Sequence, residues 1–229
     1  MAGGGAEDSS EEDEPQQLQF KVILLGDGAV GKTSIAMRFS QDYFAQSYKQ
    51  TIGVDFFMKR ISLPGTGPQV TLQIWDIGGQ SIGGRMIGNY IFGAHAVLLC
   101  YDITNYESFQ DLEDWYRLVR QTFGDRPMPH IALVGNKSDL VHMRTVKALK
   151  HTQFCDENDA ASYFVSAKNG ENLNTAFFKV AAALAGVTVS KNEIESTVKV
   201  IKAEIISHQR HDPNEPVVGV KPAKKCEIQ

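Results

Sequence analysis

The sequence predicts an α/β domain in which helices cover both faces of a mostly parallel sheet. Short apolar runs alternate with helical patterns along the chain, as in layered α/β domains. Three of these runs, AVLLCYDI, IALVGNK and SYFVSA, are almost continuously apolar, which is typical of strands buried on both faces. The length of 229 residues and the hydrophobic fraction of 42% suit one globular domain.

The first half of the domain begins with a predicted strand at 20–26, FKVILLG, which ends in a glycine. A helical pattern follows at 32–41, KTSIAMRFSQ. Residues 53–63 and 70–76 are predicted to form a strand pair, because the turn-rich stretch PGTGP lies between them.

The second half alternates three strands with three helices. The predicted strands span 96–103, 131–137 and 162–167. The helical patterns span 106–123, 146–158 and 172–186. In a sheet of this kind the functional loops lie beyond the carboxyl ends of the strands, so the motifs there decide the function.

Composition divides the chain into three parts. Residues 1–18 include AEDSSEEDE, whose six carboxylates and near absence of apolar side chains predict disorder. The folded domain is predicted at 19–188, and a variable tail at 189–229. In the tail, apolar residues at helical spacing predict an amphipathic helix that packs on the domain or on a partner. These residues are Ile194, Val198, Ile201 and Ile205.

Charge and cysteine usage exclude several classes of protein. The net charge of −4 gives no support to nucleic-acid binding. Cys100, Cys155 and Cys226 share no metal or redox spacing, and no signal peptide is recognised, so we expect a reducing, cytosolic compartment. No apolar run approaches the ~20 residues of a membrane span.

A phosphate-binding motif follows the first strand. GDGAVGKT, residues 26–33, matches G-x-x-x-x-G-K-[ST] between a strand and a helix, which is the context that the motif requires. The glycines let backbone N–H groups curl around phosphate oxygens, Lys32 reaches the β- and γ-phosphates, and Thr33 offers its hydroxyl to Mg²⁺. The residues assigned to phosphate binding are Gly26, Asp27, Gly28, Ala29, Val30, Gly31, Lys32, Thr33 and Ser34.

Two motifs after later strands predict that the base is guanine. The Asp139 carboxylate of NKSD can accept from both N1–H and the exocyclic amine of guanine, whereas adenine presents an acceptor at N1. The stem of Lys137 can lie along the base, and the SAK stretch can close over the same ring. The residues assigned to base binding are Asn136, Lys137, Asp139, Ser166, Ala167 and Lys168.

Together, GDGAVGKT, WDIGGQ, GNKSDL and SAK have the order and spacing of the Ras superfamily of small GTPases, and the resemblance covers residues 20 to about 186. The stretch YKQTIGVDFFMK at 48–59 resembles the Rab branch, and WDIGGQ with a following IGG resembles a divergent member of it. The resemblance implies a P-loop NTPase G domain with a six-stranded sheet. It also implies a molecular switch that binds GTP and GDP with Mg²⁺ and slowly hydrolyses GTP.

The resemblance assigns roles to residues of two further loops. Thr51 and Asp76 join Thr33 at Mg²⁺, and the N–H groups of Thr51 and Gly79 contact the γ-phosphate. Gln80 orients the attacking water and is the catalytic residue.

Two aromatic residues of the first of these loops also receive roles. Phe44 contacts the guanine edge-on, although packing beneath the loop is an equal alternative. Tyr48 lies over the phosphates.

The glycine-rich stretch WDIGGQSIGGRM is predicted to change shape when the γ-phosphate leaves, because its bonds to that phosphate are then lost. It departs from most Rabs, in which Thr-Ala stands in place of Ile77-Gly78 and glutamate in place of Ser81. Effectors, an exchange factor and a GTPase-activating protein are expected to bind through residues 45–59 and 77–92. Gly28 matches the family glycine that leaves room for a catalytic arginine.

Three classes of function remain open from the sequence. The first is a regulated GTP hydrolase that acts as a switch, and Gly28, Thr51 and Gln80 favour it. The second is a nucleotide-bound scaffold with negligible turnover. The third is a P-loop kinase or ATPase, which would need an adenine pocket or a second substrate site.

The terminal stretch KKCEIQ matches a C-a-a-X prenylation motif at Cys226, with glutamine favouring a farnesyl group. Glu227 is unusual in such motifs, and an unmodified cysteine is the alternative. A prenyltransferase is therefore an expected partner. We expect a cytoplasmic monomer that is reversibly anchored to a membrane, traffics vesicular or ciliary cargo and is found at the cilium or basal body.

Overall fold

The computed structural model describes residues 17–65, 68–80 and 86–197. The strands are β1 (Gln17–Leu25), β2 (Val54–Ser62), β3 (Gln69–Ile77), β4 (Ala96–Asp102), β5 (His130–Asn136) and β6 (Ala161–Phe164). They form one sheet in the order β2-β3-β1-β4-β5-β6. Only the β2–β3 pair of this sheet is antiparallel. The predicted fold class, a mostly parallel six-stranded α/β sheet, is confirmed.

Helices connect these strands. They are α1 (Lys32–Gln41), α2 (Ile87–Ile91), α3 (Tyr106–Gln110), α4 (Leu112–Phe123), α5 (Ala148–Asn158) and α6 (Leu173–Leu184). A 3₁₀-helix spans Ser138–Met143, and residues 191–197 are also helical.

The sheet separates two apolar cores because successive side chains of a strand point to opposite faces. Val22 and Leu24 of β1 lie in a first cluster, which also contains buried residues of α1 and α6. Ile23 and Leu25 lie in a second cluster, together with Trp115 of α4 and buried residues of α5. The central strand is therefore covered on both faces, as its continuous hydrophobicity predicts.

The helix predicted at 106–123 is wrong in one respect, because Asp111 separates α3 from α4. The Asp111 N–H still donates to the carbonyl of Glu107, while the Asp111 carbonyl accepts from the N–H groups of Asp114 and Trp115. One helix thus ends and the next begins at the same residue. The apolar spacing hardly changes across this break, so periodicity could not reveal it.

Two element boundaries differ from the prediction by three residues, and one helix was not predicted. β1 begins at Gln17, inside the segment predicted to be disordered, because Gln17 and Leu18 continue the pairing with β3. Helix α2 was not predicted; its two buried residues, Ile87 and Ile91, are too few to give a pattern among neighbouring glycines. β6 ends at Phe164, three residues before the predicted end.

The tail begins by packing on the domain. Ile194 is fully buried in the first cluster. The other residues of the predicted amphipathic stripe, Val198, Ile201 and Ile205, lie outside the described residues.

Two findings bear on the predicted environment of the protein. Cys100 and Cys155 are buried free cysteines. Within the described residues, every helix is too short or too polar to span a bilayer.

Candidate nucleotide-binding site

One cavity of about 920 Å³ is bordered by the loops that follow the carboxyl ends of β1, β3, β5 and β6 and by the segment before β2. Such a position is where open α/β sheets bind ligands, and the volume is that of a small-molecule site. The predicted site residues that line this cavity are Gly28, Ala29, Gly31, Lys32, Thr33, Ser34, Phe44, Tyr48, Thr51, Gly79, Gln80, Asn136, Lys137, Asp139, Ala167 and Lys168.

The loop between β1 and α1 depends on two glycines in the left-handed region. Gly26 has a φ of 135° and Gly31 a φ of 96°. A methyl group at position 26 would lie 2.0 Å from the Cys100 carbonyl oxygen, and one at position 31 would lie 2.4 Å from Nδ2 of Asn136. Both glycines are therefore required by the backbone conformation and by close contacts.

Lys32 lies inside this loop and is 5% exposed. Its ammonium donates to the carbonyl oxygens of Gly26 at 2.6 Å and of Asp27 at 2.7 Å. Burial lowers the pKa of Lys32, and the nearby carboxylate of Asp76 opposes that shift. A cation thus stands inside the loop that leads into the N-terminus of α1, a position suited to phosphate oxygens.

Three oxygen-bearing side chains converge beside Lys32. The hydroxyls of Thr33 and Thr51 are 2.7 Å apart, Thr51 Oγ1 is 3.4 Å from Oδ2 of Asp76, and Thr33 also donates to that oxygen. Asp76 is fully buried, and its Oδ1 has no hydrogen-bond partner within the described residues. Burial raises the pKa of Asp76, against the hydrogen bond from Thr33 and the charge of Lys32. Two hydroxyls and a carboxylate with an unpaired oxygen fit the coordination of a Mg²⁺ ion.

The loops after β5 and β6 are hydrogen-bonded to the loop between β1 and α1 and to one another. Asn136 Nδ2 donates to the Val30 carbonyl at 2.8 Å, and its Oδ1 accepts from the Ala167 N–H at 3.1 Å. Ser166, fully buried, donates to Asp139 Oδ1 at 2.6 Å. Asn136 thus links three loops, and Ser166 orients the carboxylate that was predicted to read the base.

The two aromatic residues occupy different surroundings. Phe44 lines the cavity and also packs against the first apolar cluster, so both predicted alternatives have structural counterparts. Tyr48 is 69% exposed, and its hydroxyl lies 3.9 Å from the position that a methyl group on Gly28 would occupy. Tyr48 therefore lies beside the loop between β1 and α1.

The loop after β3 contacts both neighbouring loops through its backbone. Gly78 donates its N–H to the Gly53 carbonyl at 2.9 Å. A methyl group on Gly79 would lie 2.1 Å from the Gly28 nitrogen, so only glycine fits there. Gln80 follows directly, exposed and facing the cavity.

Comparison with known proteins identifies the family. The family model described as "Ras family" matches residues 21–185. The chain belongs to the Ras family. It is 40% identical over 200 residues to Ras-related protein Rab-28 of Caenorhabditis elegans, which covers 87% of this chain and 80% of the relative. It is 36% identical over 165 residues to GTP-binding protein YPTM2 of Zea mays, which covers 72% of this chain and 79% of that protein.

The protein is thus a Rab-type small GTPase, a switch that binds GTP and GDP and hydrolyses GTP. The resemblance drawn from the four motifs is confirmed. The alternatives of a P-loop kinase or ATPase are wrong, and membership in a family of GTP hydrolases favours the regulated hydrolase over the inert scaffold.

Five of the predicted site residues do not line the cavity of this Rab-type GTPase. Four of them lie behind the lining residues and are hydrogen-bonded to them: Gly26 to Lys32, Val30 to Asn136, Asp76 to Thr33 and Ser166 to Asp139. For Asp27, the prediction holds at most for the backbone, because its side chain accepts from Trp115 Nε1 at 2.8 Å. Its carboxylate is therefore directed at α4.

Three residues that support the site were not predicted from the sequence. Trp115 of α4 donates a hydrogen bond to the Asp27 carboxylate on the side away from the cavity. Arg38 donates through Nε to the Ala167 carbonyl at 3.0 Å and through Nη2 to that of Lys168 at 2.5 Å. Asp102 forms an ion pair with Lys137 at 2.6 Å. An aspartate at the carboxyl end of a predicted strand was a usable signal for Asp102, whereas nothing local marks Trp115 or Arg38.

Proposed function

We propose that this Rab-type GTPase is a Mg²⁺-dependent guanine-nucleotide switch that acts in membrane traffic. One observation carries the proposal: the oxygens of Thr33, Thr51 and Asp76 converge at the edge of the cavity beside Lys32. Mg²⁺ there would neutralise phosphate charge, and Thr51 belongs to a loop whose position would then depend on the γ-phosphate.

The base-reading role of Asp139 is supported by its hydrogen bond from Ser166 and by its place in the cavity wall. One carboxylate oxygen is held by Ser166, which fixes the direction of the group. A fixed, charged acceptor pair matches the two adjacent donors of guanine and leaves adenine with an unpaired acceptor.

The replacement Asp139→Asn tests this function. The amide can donate to the carbonyl that xanthine carries in place of the exocyclic amine of guanine. We expect the affinity for GDP to fall by more than about a hundredfold and the affinity for xanthosine diphosphate to rise, both measured by titration with fluorescent nucleotide.

The matched control is Asp156→Asn, since Asp156 is exposed on α5 and does not line the cavity. It should bind GDP like the parent. If Asp139→Asn bound GDP as tightly as the parent does, guanine would be recognised by other groups.

The partners proposed for residues 45–59 and 77–92 include effectors, an exchange factor and a GTPase-activating protein. Large apolar side chains are exposed in these ranges, among them Ile52 at 90%, Phe56, Met58 and Met86. Exposed apolar side chains that flank a nucleotide-dependent loop suit partners that must sense the nucleotide.

The membrane anchor is proposed from the terminal motif, because Cys226 lies outside the described residues. One farnesyl chain binds a bilayer only marginally, and Lys221, Lys224 and Lys225 would add about 1 kcal/mol each near anionic lipid. We therefore propose a cytoplasmic protein with a reversible membrane association, including the cilium or basal body. The mass of the C-terminal peptide from cells tests it: a mature Cys226 without a prenyl group would rule the anchor out.

A further inference from the structure

Asp102 is a buried carboxylate at the carboxyl end of β4, next to the loop that follows β5, and it is 7% exposed. The sequence motifs at the strand ends assign Asp102 no role in the site. It is the register partner of Asn136 across the β4–β5 pair, and the N–H of the next residue, Ile103, donates to the Asn136 carbonyl. Strand pairing therefore fixes Asp102 beside the start of the NKSD loop.

The local backbone holds the Asp102 side chain in one orientation. Oδ1 accepts from both the N–H of Thr104, at 2.8 Å, and its hydroxyl, at 2.7 Å. The Asp102 N–H donates to Ser108 Oγ at 3.1 Å. Oδ1 is thus occupied, and Oδ2 is directed to another partner.

That partner is Lys137, whose Nζ lies 2.6 Å from Oδ2 of Asp102. Lys137 lines the cavity and has a φ of 66°, a left-handed conformation that a residue with a side chain rarely adopts. A second carboxylate, that of Asp139, lies two residues along the same loop. Within the described residues, Asp139 forms no ion pair, and its Oδ1 accepts from Ser166.

We propose that Asp102 is a positioning residue for guanine recognition, which holds the Lys137 ammonium away from Asp139. Two consequences follow for the base. The aliphatic stem of Lys137 is drawn along the cavity wall, where it can lie against the ring. The Asp139 carboxylate is left free of a neighbouring cation, so its oxygens remain available to the guanine donors. This inference rests on the proposed base-reading role of Asp139.

A double-mutant cycle separates this role from a purely structural one. Asp102→Asn keeps the shape of the side chain and an oxygen for Thr104, but removes the charge that holds Lys137. We expect GDP to dissociate about tenfold faster, because the freed ammonium competes for Asp139. Lys137→Met keeps the stem and removes the ammonium. In that background, Asp102→Asn should change the dissociation rate by less than about twofold.

The measurement is the release of fluorescent GDP from the full chain after addition of excess unlabelled GDP, with the thermal unfolding midpoint recorded in parallel. The control is Asp125→Asn, an exposed aspartate in the loop after α4, which should release GDP like the parent. If Asp102→Asn accelerated release equally in the parent and in the Lys137→Met variant, Asp102 would act through the fold, and the inference would be overturned. A parental rate in Asp102→Asn would overturn it as well.

A second variant covers the case in which Asp102→Asn does not fold. Thr104→Val removes the hydroxyl that fixes Oδ1, and should also accelerate GDP release only when Lys137 is present. Failure of the proposed base-reading role would show differently, since Asp139→Asn would then bind GDP as tightly as the parent does. That result would remove the basis of the inference too.

Discussion

Gly78 allows the loop after β3 to lie close to the segment that carries Thr51 and Gly53. Its N–H donates to the Gly53 carbonyl, and a methyl group on it would lie 2.6 Å from the Thr51 carbonyl oxygen and 3.3 Å from that of Gly53. A glycine at position 78 thus has a steric reason in this chain. The neighbouring residue, Ile77, is fully buried in the second apolar cluster.

Replacing Gly78 by alanine should therefore displace the loop that carries Thr51. Because Thr51 is proposed to contact both Mg²⁺ and the γ-phosphate, we expect affinity for a non-hydrolysable GTP analogue to fall about tenfold and affinity for GDP to change less. Titration of both nucleotides at fixed Mg²⁺ measures this difference.

The matched control is Gly88→Ala, since a methyl group there would meet only Thr122 Oγ1 at 3.6 Å, an ordinary contact. An equal loss of both nucleotides in Gly78→Ala would show that the glycine supports the fold and not the GTP-bound loop.

Gln80 is the residue proposed to orient water, and it faces the cavity from the end of the described loop. None of the described residues that line the cavity is an arginine, so we expect slow intrinsic hydrolysis, on the order of 10⁻⁴ to 10⁻³ s⁻¹. Gln80→Leu should lower this rate at least about tenfold in single-turnover assays and leave GDP affinity unchanged.

Gln121→Leu, on the exposed face of α4, is the control and should hydrolyse GTP like the parent. A parental rate in Gln80→Leu would assign the positioning of water to another group.

Helix α5 is attached to the sheet by a buried histidine. His151 is fully buried, with its Nδ1 3.0 Å from the Tyr101 hydroxyl and its Nε2 2.8 Å from Ser162 Oγ. Burial lowers the pKa of His151 from 6.5 to about 4, and the charge of Arg144 adds to the shift. The folded protein therefore holds the imidazole in its neutral form.

This histidine makes the stability of the protein depend on pH. The pKa of His151 in the folded protein lies below its unfolded value. The contribution of His151 to the free energy of unfolding is therefore complete above pH 6.5 and is lost as the pH falls from 6.5 to about 4. The loss should reach about 3 kcal/mol of unfolding free energy. Urea unfolding at several pH values in this window should show a shallower slope for His151→Gln than for the parent.

His142→Gln serves as control, because His142 is exposed on the 3₁₀-helix, and it should keep the parental slope. Identical slopes for the parent and His151→Gln would mean that other groups cause the acid sensitivity.

The folded unit extends beyond α6 through the start of the tail. Ser190 and Glu193 form a reciprocal cap, in which the Ser190 N–H donates to the Glu193 carboxylate at 2.7 Å and the Glu193 N–H donates to Ser190 Oγ at 3.3 Å. This cap starts the helical segment at 191–197 and directs Ile194 into the core.

Ile194→Ala should lower the free energy of unfolding by about 2–4 kcal/mol, because it leaves a cavity in the first cluster. Chemical denaturation measures this loss, and GDP affinity under native conditions should stay parental. Glu195→Ala removes only an exposed pair with Lys191, and should cost less than about 0.5 kcal/mol. Equal small losses in both variants would mean that the tail segment is not part of the cooperative unit.

The sequence by itself determined the fold class and most of the cavity lining. Both depend on local patterns: apolar runs that predict buried strands, and motifs of a few residues at strand ends. GDGAVGKT is a clear example, since its glycines, Lys32 and Thr33 lie close together in the chain and form one loop. The position of such a motif follows from the strand before it, because parallel strands bring their carboxyl ends to one edge.

Only the tertiary structure decided which side chains support that cavity from behind. Asp27 and Trp115 are 88 residues apart in the chain. Asp102 is the last residue of β4, whereas Lys137 directly follows β5. Their pairing depends on the strand order and on where α4 packs against the sheet. No local period encodes these contacts. The break at Asp111 is of the same kind, because the apolar spacing is compatible with a continuous helix.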